Sequence, residues 1–282
     1  MSRNPYQVPR KKPSLRPSVF AFVDILGYMD LVQSSTARGQ QEATLRTLHA
    51  ALTKGRKGLE DKDLPSAMRK LGKKDFYALK AFTDNIAIGW PINDDAEVEF
   101  GNAFMRLRQF QFQMTIDGFF LRGALSVGDA YVDEIAVFGD ALTEAYIGES
   151  KIARDPRIIL TNSAVAVAKH HLTYYPNPAN APHVSHILKD SDGQWFLNYL
   201  DCVLDAEYEY GPFYHELLQH KDVIELNLGK YKSNPPVWSK YAWVASYHNY
   251  FCDAHPNHFN DEHRVNVDLF RATPRLIIDA EA

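Results

Sequence analysis

The stretch that decides the fold is residues 19–26, VFAFVDIL, which Gly27 follows. Every residue in this stretch except Asp24 is apolar, a composition typical of a strand that is buried on both faces of a sheet. A carboxylate in the middle of such a strand is costly to bury unless it is paired or bound to a cation. We therefore predict a central strand here and treat Asp24 as a candidate site residue.

Alternating helical and extended patterns follow this strand. Leucines spaced between residues 31 and 52 indicate a helix, and apolar runs at 77–82 and 86–90 predict two short strands joined by a tight turn. Apolar residues at helical spacing predict a second helix over 100–114, and residues 119–128 have the pattern of a further strand. The order β-α-β-β-α-β predicts an α+β fold with a ferredoxin-like core, in which both helices cover one face of an antiparallel sheet.

More elements are expected beyond this core. The sequence predicts strands at 136–138, 157–160 and 194–200, and helices at 140–152, 163–171, 208–228 and 237–251. We divide the chain into three parts. These are a flexible, basic, Pro-rich arm (1–18), a core (19–160) and a C-terminal α/β extension (161–282) that packs on the core.

The composition excludes several classes of protein. The 282 residues carry a formal net charge of −4, which argues against a nucleic acid polymer as partner. The hydrophobic fraction of 45% is enough for a sizeable core. No apolar run approaches the roughly 20 residues of a membrane span. The sequence has only two cysteines, Cys202 and Cys252, which excludes a disulfide framework. We therefore expect a cytoplasmic protein with no stable membrane insertion.

A second aspartate accompanies Asp24. Asp84 lies at the predicted turn between the strands 77–82 and 86–90. In a ferredoxin-like sheet the first strand lies beside this hairpin, so the two carboxylates can converge across adjacent strands. Two convergent carboxylates suit Mg²⁺ or Mn²⁺, which keep water and substrate phosphates as their other ligands. Taken singly, Asp24 could be a buried aspartate with a polar partner, and Asp84 could be an ordinary turn residue. Their joint placement favours a cation site.

Four segments of the sequence resemble motifs of the class III nucleotide cyclases. FVDILG (22–27) is similar to their F-x-D-I-x-G strand, and KAFTD (80–84) is similar to their K-x-x-G-D hairpin. RGALSVG (122–128) is similar to their R-x-G-I-x-x-G strand. FGDALTEA (138–145), continued to Glu149 and Ser150, is similar to their G-D-x-V-N-x-A-x-R-x-E-S helix. The resemblance covers about residues 19–160, with the motifs in the family's order.

The resemblance implies a two-metal reaction. Asp24, Asp84 and the backbone carbonyl of Ile25 would hold two Mn²⁺ or Mg²⁺ ions. These ions assist the attack of the ribose 3′-hydroxyl of a nucleoside triphosphate on its own α-phosphorus, and pyrophosphate leaves. Active sites in the family form between two cyclase domains. Since this chain has one such domain, a homodimer with active sites at its interface is expected.

The sequence departs from the family at positions that meet the substrate. The family's helix carries an Asn and, four residues later, an Arg that stabilises the transition state, but these positions are Thr143 and Ile147 here. Lys80 keeps the position of a base-reading Lys, while its usual Asp partner is replaced by Ala136. Arg122 is the nearest candidate for the missing positive charge. We expect Lys80, Arg122 and Thr143 to bind substrate.

A narrower group is most similar to this pattern. GDALTEAY (139–146) and KYAWVASYHN (240–249) resemble the pyrimidine cyclases of the bacterial Pycsar anti-phage system. This resemblance implies synthesis of a cyclic pyrimidine nucleotide as a second messenger in antiviral defence, with UTP favoured over CTP. Two alternatives remain open: an adenylate or guanylate cyclase, and a non-catalytic module that binds nucleotide or dimerises.

A further pattern near the C-terminus needs a separate explanation. Cys252, His255, His258 and His263 have the spacing C-x2-H-x2-H-x4-H, which matches no standard zinc finger. Pro256 interrupts this pattern, and the segment follows an apolar predicted helix. We therefore expect a polar loop with packed imidazoles in preference to a zinc site.

Overall fold

The computed structural model describes residues 4–7, 11–59, 77–82, 84–205 and 214–271. The chain divides into two compact units, Met1–Cys202 and Val203–Ala282. The first unit combines helices with one sheet whose strands are mostly antiparallel. The predicted α+β class is therefore confirmed at this level.

One eight-stranded sheet organises the first unit. Its strands are β1 (Arg16–Ile25), β2 (Ala78–Phe82), β3 (Asn85–Pro91), β4 (Leu121–Val132), β5 (Val137–Gly139), β6 (Ile158–Leu160), β7 (Ile187–Lys189) and β8 (Trp195–Leu197). The strand order is β2-β3-β1-β4-β6-β8-β7, and β5 pairs with β4 beside this path. The β4–β6 pair is parallel and the other pairs are antiparallel.

Helices connect these strands. The first unit contains α1 (Tyr28–Ala37), α2 (Gln41–Leu59), α3 (Glu97–Ile116), α4 (Asp140–Ile147), a π-helical turn (Gly148–Ile152) and α5 (Asn162–Leu172), with short 3-10 turns at Pro178–Asn180 and Tyr199–Asp201. The four-residue helix α6 (Cys202–Asp205) spans the boundary between the units. The helix predicted over 100–114 is confirmed, because α3 presents Phe100, Phe104 and Leu107 to the core.

The central strand β1 is buried on both faces, as its composition predicted. Val19, Ala21 and Val23 pack into a core formed with side chains of α2, α3 and α5. Phe20 and Phe22 point to the opposite face, where α4 supplies Ala141 and Ala145 and the N-terminal segment supplies Tyr6. Asp24 continues this second series, so its alternation along β1 directs it to the face that carries α4.

The N-terminal segment differs from its predicted flexibility in residues 4–7. Tyr6 is buried, and its hydroxyl donates a hydrogen bond of 2.8 Å to the Ser18 hydroxyl. Arg16 donates to the Pro5 carbonyl at 2.9 Å. Gly89 makes room for the Tyr6 ring, since a Cβ at position 89 would overlap the Tyr6 hydroxyl. A buried aromatic anchor therefore holds this part of the arm on the sheet, while residues 1–3 and 8–10 lie outside the described residues.

The second unit is helical where it is described. It contains α7 (Tyr214–Lys230), α8 (Pro235–Ala254) and two 3-10 turns at Asp261–His263 and Val267–Leu269. The helix predicted over 208–228 is present from Tyr214, and positions 208–213 lie outside the described residues. The helix α8 begins two residues before its predicted start because Pro235 suits the first helical position. Among the helices that the structure describes, none is long and apolar enough to cross a membrane.

Candidate functional site

The second face of the sheet ends in a row of polar residues. Asp24 is the cross-strand partner of Asn85 on β3 and of Arg122 on β4. Cross-strand partners point to the same face, so these three side chains are neighbours. The N–H of Ile25 donates a 3.1 Å hydrogen bond to the carbonyl of Asp84, which fastens the hairpin turn to the end of β1. The predicted convergence of the two strand ends is therefore present in the structure.

The two aspartates come within reach of each other. The carboxyl groups of Asp24 and Asp84 are close enough to share a hydrogen bond. The side-chain amide of Asn85 also donates to Asp84 at 3.0 Å. The turn between β2 and β3 thus directs Asp84 toward Asp24, although the two residues are 60 positions apart in the chain.

One arginine joins Asp24 to a third carboxylate. Nη2 of Arg122 lies 3.2 Å from Oδ2 of Asp24 and also contacts Oε1 of Glu149. The Asp24 side chain is 15% exposed and the Glu149 side chain is 5% exposed. We call Asp24, Asp84, Arg122 and Glu149 the Asp24 cluster.

A π-helical turn brings Glu149 to the sheet. The sequence predicted one helix over 140–152, but α4 ends at Ile147 and a π turn covers Gly148–Ile152. A Cβ on Gly148 would lie 2.6 Å from the Cβ of Ala124, so glycine allows the turn to approach β4 this closely. Glu149 was quoted within a motif but not predicted as a site residue, because helical spacing alone does not place it beside Arg122.

The Asp24 cluster holds more negative than positive charge. Burial is the largest of the effects that raise the pKa of Asp24 to about 7. The charge of Glu149 raises this pKa further, the charge of Arg122 lowers it, and both the charge of Asp84 and its hydrogen bond raise it. Asp24 thus has one guanidinium and two further carboxyl groups, those of Asp84 and Glu149, around it, and this balance disfavours its ionised form.

A divalent cation fits this environment. Asp24 and Asp84 offer hard carboxylate oxygens, the type of ligand that Mg²⁺ and Mn²⁺ prefer. Across the described part of the chain, no three His, Cys, Asp or Glu side chains are grouped to hold a metal ion by themselves. An ion held by two carboxylates would use water and ligand oxygens as its other ligands. The end of β1 at Ile25 lies beside them through its hydrogen bond to Asp84.

The predicted substrate-binding residues have different positions relative to this cluster. Arg122 belongs to it directly. Lys80 pairs with Ala87 on β3, which pairs with Phe22, so Lys80 lies on the same sheet face in the row next to Asp24. Thr143 is exposed on α4, and its hydroxyl donates to the Gly139 carbonyl at 3.3 Å. Thr143 also lines an open pocket together with Phe138 and Leu142.

Cys252 and two of the nearby histidines take part in packing and helix capping. Cys252 is buried, and burial raises the pKa of its thiol to about 12. The Nδ1 atom of His255 lies 2.9 Å from the Phe251 carbonyl, and His263 forms a capping box with Asn260. These contacts give His255 and His263 packing and capping roles.

Comparison with known proteins adds no family. No family model matches the sequence, and no curated protein is significantly similar to it. The chemistry of the site follows from its residues. They offer two carboxylates for a divalent cation and a guanidinium beside them, with a lysine in the next row of the same face. Such a set of charges can bind a cation together with a phosphate-bearing ligand.

Proposed function

We propose that the chain is a nucleotide cyclase. It converts a pyrimidine nucleoside triphosphate, UTP in preference to CTP, into the 3′,5′-cyclic monophosphate and pyrophosphate. The observation that carries this proposal is the meeting of Asp24 and Asp84 at adjacent strand ends, next to Arg122. The motifs around these residues supply the reaction type, and the geometry supports their joint use.

The topology of residues 19–160 also supports the proposal. The strand order β2-β3-β1-β4 is the order of a ferredoxin-like β-α-β-β-α-β core. Helices α2 and α3 contribute to one core on the same face of this sheet. The opposite face bears the Asp24 cluster, and on this face Asp24 and Lys80 are half-buried. A class III cyclase core would use this second face for its substrate.

The two aspartates and the two basic residues have separate proposed tasks. Asp24, Asp84 and the Ile25 carbonyl would hold two Mn²⁺ or Mg²⁺ ions. When bound, such ions lower the pKa of a hydroxyl group and neutralise phosphate charge. Arg122 and Lys80 would bind the triphosphate electrostatically and align it for in-line attack. The 3′-oxygen then forms a bond to the α-phosphorus, the bond to pyrophosphate breaks, and the hydroxyl proton is released to solvent.

A second copy of the chain is part of this proposal. The positions Thr143 and Ile147 on α4 correspond to substrate-facing residues of the resembled family, and both are exposed here. Phe138 and Tyr146, on the adjoining strand and helix, are also exposed apolar residues. A homodimer that buries this face would bring α4 of one protomer toward the aspartates of its partner. The cyclic product would then act as a second messenger in anti-phage defence.

A product assay tests the proposal. The protein is incubated with Mn²⁺ and each of UTP, CTP, ATP and GTP, and the products are identified by mass. We expect a cyclic pyrimidine nucleotide and an equal amount of pyrophosphate. Asp222→Asn, on the exposed surface of α7, serves as a control that should retain this activity. If none of the four nucleoside triphosphates gives a cyclic product while a known cyclase is active in parallel, the proposed cyclase activity is refuted.

A non-catalytic nucleotide-binding module is the second candidate. One specific observation favours it: the positions that carry Asn and Arg in the resembled family are the uncharged Thr143 and Ile147. This candidate predicts saturable nucleotide binding without any product in the same assay. A cyclic purine product would instead identify an adenylate or guanylate cyclase, the remaining alternative.

A further inference from the structure

Arg122 uses one nitrogen to bridge two carboxylates. Its Nη2 atom donates a hydrogen bond to Asp24 and forms an ion pair with Oε1 of Glu149. Within the described part of the chain, the buried Nε of Arg122 and Oε1 of Glu149 have no hydrogen-bond partner. The donors of a guanidinium are arranged as a fork that suits bidentate contacts. Arg122 does not use this fork fully, so its present position is a compromise between two anions.

The two anions differ in how firmly they are held. Glu149 is almost completely buried, and its backbone belongs to the π turn that Gly148 packs against Ala124. Asp24 is more exposed and also lies beside Asp84. Of the two partners of Arg122, Glu149 is therefore the fixed one, and Asp24 is the one that another cation can reach.

We propose that Glu149 is a positioning residue that retains Arg122 in the site when a divalent cation takes its place at Asp24. Arg122 is then an internal counter-ion of Asp24 in the cation-free site. Once a cation occupies the aspartates, Glu149 keeps the Arg122 guanidinium in the site. The N–H donors that Arg122 no longer gives to Asp24 then bind a phosphate group of the ligand. The identity of that ligand as a nucleoside triphosphate rests on the proposed function, but the exchange of cations at Asp24 does not.

Two consequences distinguish this arrangement from simple charge balance. Arg122 competes with the divalent cation, so removing Arg122 should strengthen cation binding while weakening the binding of polyphosphate. Glu149 acts through Arg122, so neutralising Glu149 should matter only while Arg122 is present. If Glu149 acted merely as a nearby negative charge, its effect on the cation would be the same with or without Arg122.

A double-mutant cycle measures this coupling. The four proteins are the wild type, Glu149→Gln, Arg122→Gln and the double variant, each titrated with Mn²⁺ alone by calorimetry. Tripolyphosphate binding is then measured at saturating Mn²⁺. Glu144→Gln is the matched control, because Glu144 lies on α4 and accepts hydrogen bonds from Ser163, not from Arg122. None of these measurements requires turnover.

The proposal predicts the following pattern. Glu149→Gln weakens Mn²⁺ binding about tenfold in the wild-type background, because Arg122 then pairs with Asp24 alone, but less than about threefold in the Arg122→Gln background. Arg122→Gln tightens Mn²⁺ binding about fivefold and weakens tripolyphosphate binding about tenfold. Glu144→Gln leaves both affinities within about twofold of the wild type.

Other results overturn the proposal. An equal effect of Glu149→Gln in both backgrounds would reduce Glu149 to a bystander charge, and weaker Mn²⁺ binding by Arg122→Gln would exclude competition at Asp24. If Glu149→Gln does not fold, Glu149→Asp replaces it in the same cycle, since the shorter side chain withdraws the carboxylate from Arg122. A failed product assay with intact coupling would refute only the cyclase, and lost coupling with intact turnover would refute only the role of Glu149.

Discussion

Two arginines in the first unit each lie in a cluster with three carboxyl groups, but they contact different numbers of them: Arg157 contacts three and Arg122 contacts two. Arg157 is completely buried and contacts Asp190 and Asp192, with Asp155 at 3.9 Å. We call these four residues the Arg157 cluster. Asp190 and Asp192 also accept hydrogen bonds from backbone N–H groups of their own turn. The pKa of Asp155, the most distant carboxyl group, is raised by burial.

The Asp24 cluster has the same number of carboxyl groups but a weaker compensation. Its aspartate at the strand end lies 3.2 Å from Arg122, and burial with neighbouring negative charge raises the pKa of Asp24 to about 7. In the Arg157 cluster, the ion pairs of Arg157 with Asp190 and Asp192 connect the turn between β7 and β8 to the start of β6. The two clusters therefore differ in how their carboxylates are held: backbone N–H groups support Asp190 and Asp192 beside Arg157, whereas Asp24 has Arg122 as its ion-pair partner and two further carboxyl groups nearby.

The largest expected effect is on turnover and separates the two clusters. Asp84→Asn should lower the rate of cyclic nucleotide formation about 10³-fold or more, because a carboxylate that holds the cations is lost. Asp192→Asn, the matched change in the Arg157 cluster, should keep the rate within about threefold. Rates are measured by product mass and dimers by size-exclusion chromatography. Full activity of Asp84→Asn, or loss of the dimer with it, would contradict this assignment.

The next effect is on the free energy of unfolding, and we expect it at the Arg157 cluster and not at the Asp24 cluster. Arg157→Met should lower the free energy of unfolding by about 3–4 kcal/mol, because it leaves the surrounding carboxylates without their buried counter-ion. Chemical denaturation at pH 7 checks this value. Mn²⁺ affinity of the folded variant should be unchanged. A change below about 0.5 kcal/mol would show that the Arg157 cluster contributes no net structural stability.

A smaller effect is expected from the glycine that positions Glu149. Gly148→Ala should destabilise the protein by about 1–3 kcal/mol, because its new methyl group would overlap Ala124. It should also weaken Mn²⁺ binding, since the π turn carries Glu149. Gly229→Ala in α7 is the control: nothing lies within 4 Å of its added Cβ, and it should be neutral or slightly stabilising. Equal thermal melts for both variants would disprove the close approach at Gly148.

The smallest effect is a pH dependence that belongs to Asp24. Its pKa is about 7 in the folded protein against 3.8 for the free side chain, so the folded state holds this proton more tightly. The unfolding free energy therefore falls as pH rises between these values, by about 1–2 kcal/mol after allowance for solvent screening. Asp24→Asn should remove this fall in metal-free buffer.

Buried histidines also make stability depend on pH, so the test compares the pH profiles of the wild type and of Asp24→Asn. The pKa of His183 is lowered to about 4 mainly by burial, which makes stability rise with pH over part of the same range. Subtracting the denaturation curve of Asp24→Asn from that of the wild type removes such contributions. Parallel pH profiles of the two proteins would contradict the raised pKa of Asp24.

The sequence predicted the parts of the site that depend on local pattern. An apolar run interrupted by Asp24 identifies a buried strand with an exceptional carboxylate, and the short spacing of 77–82 and 86–90 places Asp84 at a hairpin turn. Pairing of β1 with β3 then follows from the order of elements. Lys80 could also be assigned to the correct sheet face by this pairing.

Tertiary packing decided the features that the sequence did not reveal. The π turn depends on the close contact of Gly148 with Ala124, which helical periodicity does not indicate. Tyr6 is buried because Gly89, far away in sequence, leaves space for it. Strand β7 (Ile187–Lys189) has only three residues, too few for an alternating pattern to be recognised.

Direct titration with Mn²⁺ tests the central claim that the Asp24 cluster binds a divalent cation and that the Arg157 cluster does not. The wild type, Asp24→Asn and Asp192→Asn are compared by calorimetry at pH 8, without nucleotide. We predict saturable binding by the wild type and by Asp192→Asn with equal affinity, and binding at least about tenfold weaker by Asp24→Asn. Equal affinity of Asp24→Asn and the wild type, or no binding by the wild type, would contradict the account.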